Sequence, residues 1–170
     1  MPKHYKLFLL GLMVFLISGC AHVISEDLRA SVDSSLTFSR VLQNPDAYKD
    51  KSVLWGGQII QTINQKDGST LIEVFERPLG WRGKPKGTPS EGRFLIFVRG
   101  YLDPNVSFTN RRITVAGEII GEKARPLGEM NHRYPLISAK QIYLWEHYYP
   151  AYGYSYYYYS SQRLNFATSP

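Results

Sequence analysis

The sequence contains a single cysteine, Cys20, among 170 residues. A lone thiol excludes an intrachain disulfide and a cysteine-rich metal site. Histidine is nearly as scarce: beyond position 20 only His22, His132 and His147 occur. None stands at a ligand spacing from another, so no metal centre and no cofactor are expected. Also missing are a serine in a nucleophile-elbow pattern and a glycine-rich phosphate loop, and with them the usual signatures of an enzyme. No internal repeat is visible. Nor does any apolar run reach the roughly 20 residues a membrane-spanning helix requires.

The longest such run is Leu7 to Ile17, 11 residues, preceded by Lys3, His4 and Lys6 and followed by Ser18-Gly19-Cys20. Its length and positive flank are those of a signal-peptide core. Ile17-Ser18-Gly19-Cys20 resembles the lipobox of bacterial lipoproteins: small residues fit a narrow peptidase site, and the thiol carries the diacylglyceryl group. Residues 1–19 are therefore expected to be removed, and Cys20 to be lipidated on sulfur and, by an acyl chain such as palmitate, on its new amine. Two or three chains hold a protein on a membrane stably. Ala21 follows, not the aspartate that favours inner-membrane retention, so the expected location is the outer membrane. The formal charge is +6; without Lys3 and Lys6, 18 basic residues face 14 acidic ones, or +4. That balance suits an anionic envelope polymer or lipid as partner. Nucleic acid is not expected, because an exported domain rarely meets it.

Four segments are expected: 1–19 as signal peptide, 20–35 as a polar lipidated tether, 36–147 as a β domain, and 148–170 as a low-complexity tail. Phe38, Val41 and Leu42 fall at helical spacing, with Thr37 or Ser35 as cap and Asn44-Pro45 as terminator. Five β-rich runs follow: Ser52 to Ile63, Ser69 to Phe75, Phe94 to Val98, Arg112 to Ile120, and Ile137 to Trp145. Asp67-Gly68 marks a hairpin turn, Asp103-Pro104-Asn105 another turn, and Gly56-Gly57 a bulge in the first strand. Together they predict a mainly β fold, a small five- to six-stranded antiparallel OB-like barrel with a short N-terminal helix; closure would remove exposed sheet edges. A two-sheet sandwich is the rival architecture.

Val53-Leu54-Trp55-Gly56-Gly57, Glu73 with Pro78-Leu79, Gly92-Arg93-Phe94, Tyr101-Leu102-Asp103-Pro104, Val115-Ala116-Gly117, Tyr134-Pro135 and Ile142-Tyr143-Leu144-Trp145 occur in an order that resembles the Slp family of outer-membrane lipoproteins. The resemblance runs from Cys20 to about Trp145. It implies an outer-membrane lipoprotein associated with starvation and stationary phase in enteric bacteria, and carries over no catalytic residue.

Arg77, Trp81, Arg82, Lys84, Lys86 and Arg93 are the candidate ligand-binding residues. They lie in an extended loop punctuated by Pro78, Pro85 and Pro89 and opposed within it only by Glu91. Such a basic, aromatic-assisted loop suits anionic envelope polymers or lipid phosphates; a solvated loop kept soluble by its charges is the plainer reading. Glu73, Glu76, Asp103, Glu118 and Glu122 are the carboxylates from which a hydrolase would have to draw a pair. The last segment places eight tyrosines between Tyr148 and Tyr159 without a sustained helical or strand pattern. It is read as a disordered terminus or an aromatic binding tail. A structural or binding role in the envelope leads; a glycan- or lipopolysaccharide-binding module is the alternative, and an envelope hydrolase comes third.

Overall fold

The computed structural model describes residues 22–87, 89–102, 109–150 and 156–166, so Cys20 and the expected turn at Asp103-Pro104-Asn105 lie outside the described residues. Two short helices come first, α1 (Glu26–Ala30) and α2 (Phe38–Gln43), then a 3-10 turn, Pro45–Tyr48. The strands are β1 (Ser52–Asn64), β2 (Thr70–Glu76), β3 (Arg93–Val98), β4 (Arg112–Leu127), β5 (Met130–Leu144), β6 (His147–Pro150), β7 (Tyr156–Tyr159) and β8 (Gln162–Asn165). The α2 start is the expected one, with the Thr37 hydroxyl accepting from the Arg40 N–H at 3.3 Å.

The fold is mainly β, as expected. β3-β2-β1-β4-β5 pair in that order, and β3 also pairs with β5, so five strands close into a ring. Four of the five junctions are antiparallel; β3 and β5 run parallel, with Ile96 opposite Ile137. An odd number of strands cannot alternate direction all the way round, so a five-stranded ring must contain a parallel junction. Inside the ring Val53, Ile59, Ile72, Val74, Ile96, Ile113, Val115, Ile119, Ile137 and Ile142 form the core, with Phe38 and Val41 of α2 packed on it. Only every second strand residue points inward.

Three features differ from the sequence reading. The first-strand bulge lies at Ile60, between Ile59↔Val74 and Gln61↔Glu73, whereas Gly56 and Gly57 keep regular register with Thr114 and Ile113. Those glycines answer to close approach: a Cβ on Gly57 would stand 2.1 Å from the Phe75 carbonyl oxygen. Secondly, β4 and β5 continue as a long arm to a turn at Gly128, through Pro126 and Pro135. The arm is fastened to the ring where Arg125 approaches Glu73 at 3.8 Å and Lys123 donates to Gln65 at 3.4 Å.

Thirdly, both flanking segments are structured where they are described. In the expected tether, Val23 and Ile24 are buried and Ser25 N–H donates to Gln141 Oε1 at 2.7 Å. In the tyrosine-rich segment β6 pairs with β7, and β8 adds to β5 with Leu164 opposite Ile142. Low complexity does not prevent pairing: the tyrosine strands pair with each other in a two-stranded sheet, while β8, Gln162–Asn165, covers the free edge of β5. Leu164 and Phe166 alternate with Arg163 and Asn165 and pack against the core.

Candidate functional site

The described surface has a cleft of about 260 Å³ where the chain enters α2 beside the β1 edge and the loop leaving β2. Leu36, Phe38, Leu54, Trp55, Pro78 and Leu79 give it apolar walls, and Glu76, Arg77 and Glu91 supply the charged groups. Trp55 meets Phe38 and Phe94 edge to face, and Phe38 and Phe94 are tilted to each other, with ring centroids 5.0 to 6.0 Å apart, so the floor is an aromatic cluster. Gly56 allows the loop to seat: a Cβ there would lie 2.5 Å from Leu79 Cδ2. Arg77 N–H donates to the Gly56 carbonyl at 2.9 Å, and Lys86 N–H to the Pro78 carbonyl at 2.8 Å, folding the loop on itself.

Glu76 ends β2 and is buried. Its carboxylate accepts from the Glu91 N–H at 3.0 Å, while the Glu91 carboxylate accepts from Ser39 N–H at the start of α2. Burial pushes the Glu76 pKa up, helped by the Glu91 charge and opposed by the Glu91 amide and Arg77. A carboxyl whose pKa is raised on folding favours the folded state below the unfolded value, and that contribution is lost as pH rises through the folded value. Glu76→Gln should therefore leave the melting temperature at pH 7 unchanged or higher. It should also flatten the fall in stability between weakly acid and neutral pH. A lower melting temperature across that whole range would show that the amide bond outweighs desolvation.

The six basic and aromatic candidates separate into two groups. Arg77 and Arg93 both lie over the Phe75 ring, at 4.7 and 6.0 Å, on the outer face of β2 and β3. Arg93 is committed to an ion pair with the buried Glu73 at 3.0 Å. Trp81, Arg82, Lys84 and Lys86 are exposed at the loop tip. The Arg82 guanidinium sits 5.4 Å from the Trp81 ring, and the Lys84 ammonium 5.3 Å from the Trp145 ring. The tip is held from below, because the buried Thr114 hydroxyl donates to the Gly83 carbonyl at 2.7 Å and accepts from Trp145 Nε1 at 2.9 Å.

Most of the carboxylates considered for hydrolysis are engaged elsewhere. Glu73 accepts from Arg93 and Gln61, Glu118 pairs with Lys140, and Glu122 pairs with Arg133. Asp103 lies outside the described residues. Glu76 and Glu91 share the cleft. Glu91 was read from the sequence only as the loop's acidic residue, and nothing local marked it as a partner of Glu76, 15 positions away. His132 meets Tyr134 edge to face on the arm, and His22 packs against Gly83. Among the described residues no three His, Cys, Asp or Glu side chains gather as a metal site.

A closed β ring with a small, mixed-polarity cleft defines a small β-barrel-like binding-type domain, and among the described residues no group of three His, Cys, Asp or Glu side chains gathers as a metal site. The chain belongs to the outer membrane lipoprotein Slp family, whose model matches residues 17–169. It is an outer-membrane lipoprotein of that family. The match begins inside Ile17-Ser18-Gly19-Cys20 and extends past Trp145, so the tyrosine-rich segment belongs to the family pattern as well. The uncharacterized lipoprotein YeaY of Escherichia coli (strain K12) is 29% identical over 141 residues, 82% of this chain and 72% of that protein. The outer membrane protein Slp of the same strain is 28% identical over 134 residues, 77% of this chain and 70% of that protein. An uncharacterized protein of Haemophilus influenzae (strain ATCC 51907 / DSM 11121 / KW20 / Rd) is 30% identical over 97 residues, 56% of this chain and 52% of that protein.

Proposed function

We propose that the chain is a non-catalytic binding protein of the outer membrane, anchored by lipid at Cys20, that takes a short stretch of envelope glycan in the cleft at Glu76. The observation that carries the binding half is a buried carboxylate at an open cleft with an aromatic floor. Sugar hydroxyls donate to carboxylates, while the apolar face of a pyranose packs on aromatic and aliphatic walls. Arg77 at the rim adds donors for phosphorylated or acidic sugars. The family resemblance extends the reading to starvation and stationary phase.

Binding of fragmented peptidoglycan and lipopolysaccharide core oligosaccharides to the mature chain tests the cleft. Glu76→Gln and Leu79→Ala should each weaken binding by about tenfold, the effect of removing a well-packed contact of about 1.4 kcal/mol. Undiminished binding in both variants would remove the cleft from the argument. The pairing of Glu76 with Glu91 favours a second reading, an envelope glycosidase with Glu76 as acid. Release of new reducing ends from the same glycans, abolished by Glu76→Gln, would establish it over simple binding.

Anchoring has its own test. Cys20→Ala should move the protein out of the membrane fraction altogether, and intact mass of the wild type should show a lipidated Cys20 as first residue. An unmodified cysteine, or cleavage at another position, contradicts the proposal.

A further inference from the structure

We infer that the loop tip Trp81, Arg82, Lys84 and Lys86 rests on the phosphate headgroups of the bilayer that holds the anchor, docking the β ring on the membrane in one orientation. The inference rests on lipidation at Cys20, as proposed above. It starts from the place where the described chain begins. Val23 and Ile24 are 3% and 1% exposed, and Val23 N–H donates to the Arg82 carbonyl at 3.4 Å. The His22 ring packs against the loop: a Cβ on Gly83 would be 2.6 Å from His22 Cε1. Cys20 precedes His22 by two residues. An extended chain covers at most about 3.6 Å per residue, so the Cys20 Cα lies within about 7 Å of that of His22. The lipid therefore leaves the protein beside the basic loop. A tether that short cannot carry the loop away from the lipid surface.

The chemistry of the surface fits that occupant. Trp81 is 72% exposed, with the Arg82 guanidinium on its ring. An indole in such a position favours the headgroup level of a bilayer, and guanidinium and ammonium groups bind lipid phosphate. Burial and the Arg29 and Arg82 charges hold the His22 pKa below the ordinary value, which disfavours a charge on this ring. The positive field at the terminus thus comes from Arg29, Arg82 and the loop lysines. The acidic residues of this segment, Glu26 and Asp27, come after the docked Val23 and Ile24, at the start of α1. Lipid, not a soluble polymer, is the assigned partner because the anchor already places it there.

Cys20 is the chain's only cysteine, which permits a test independent of lipidation in the cell. The mature chain is coupled through that thiol to a maleimide-headgroup phospholipid. The vesicles are mainly phosphatidylethanolamine, with a minority of phosphatidylglycerol and some acyl-brominated phospholipid. Tryptophan emission of the wild type should be quenched about twice as strongly as that of Trp81→Phe, since Trp81 is the exposed indole beside the anchor. Reversing Arg82, Lys84 and Lys86 to glutamate should reduce quenching about threefold, as should replacing phosphatidylglycerol by neutral lipid. These side chains are exposed, and a thermal melt confirms that the reversed variant is folded. Equal quenching in wild type and Trp81→Phe, or quenching indifferent to charge reversal, overturns the assignment. Intact mass of the native protein decides the anchor, whereas quenching decides the face, so failure of one is separable from failure of the other.

Discussion

Valine at position 57 should destabilise the domain by more than about 3 kcal/mol, beyond the usual range for an overpacked core. A Cβ on Gly57 would stand 2.1 Å from the Phe75 carbonyl oxygen and 2.7 Å from Val74 Cγ1. Neither neighbour can retreat cheaply. Phe75 belongs to the ladder that pairs Gly57 with Glu76 and Gln58 with Phe75, and Val74 is fully buried in the ring. A bulge at Gly56-Gly57, as the sequence suggests, would make the loss one of backbone strain, on the order of 1–3 kcal/mol. The larger loss follows from backbone contact in a regular stretch of strand. Gly117→Ala should behave alike, because its Cβ would lie 2.2 Å from the Ser138 carbonyl oxygen on β5. Gly87→Ala, with nothing within 4 Å, is the control and should melt like the wild type. Denaturant melts decide this, and a Gly57→Val variant as stable as the wild type would refute the packing argument.

Ending the chain after His147 should cost at least about 1.5–3 kcal/mol, the loss expected when a buried charge gives up one of its hydrogen bonds, with the uncovering of β5 added to it. With 36–147 read as the β domain and 148–170 as a low-complexity tail, the sequence alone suggests that a chain ending after His147 keeps its cooperative transition. Arg111 changes that expectation. Its side chain is fully buried, and Nη2 donates to the Trp145 carbonyl at 3.1 Å and to the Ser160 carbonyl at 3.0 Å. Truncation removes Ser160, and it also removes β8, baring the β5 edge from Gln141 to Leu144 together with the core contacts of Leu164 and Phe166. A fall in melting temperature of about 10 °C or more is expected for a domain of this size. Arg111→Met in the truncated chain should recover part of the loss, since an apolar replacement needs no partner. If truncation leaves the melt unchanged, β8 is not part of the stable fold.

Local signals made the mainly β class, α2 with its Thr37 cap, and the Asp67-Gly68 turn legible, because each depends on residues within a few positions of one another. Gly68 takes φ 80° and the Ser69 hydroxyl donates to Asp67 at 2.6 Å, as that turn chemistry requires. The arm beyond Ile120 was hidden by Gly121, Pro126, Gly128 and Pro135, residues that read as breakers. They are tolerated because β4 and β5 pair with each other from Ile113↔Leu144 to Leu127↔Met130, with the register shifting at Ala116/Gly117 and Ile119/Gly121. Leu164 and Phe166 did carry a short alternating signal, overshadowed by the tyrosines before them.

By itself the sequence determined the single cysteine at the end of an apolar run, the five β-rich runs, and the basic loop with its tryptophan. Each of these is a property of neighbours along the chain. Only the tertiary structure decided that Glu76 and Glu91 share a cleft and that Arg77 and Arg93 stand apart from the loop tip. It also decided that His22 and Val23 lie against Gly83 and Arg82. Those are contacts across 15 to about 60 positions of sequence, created when the five strands close into a ring. Ring closure turned an expected tether into a docked segment and brought the basic loop against His22 and Val23.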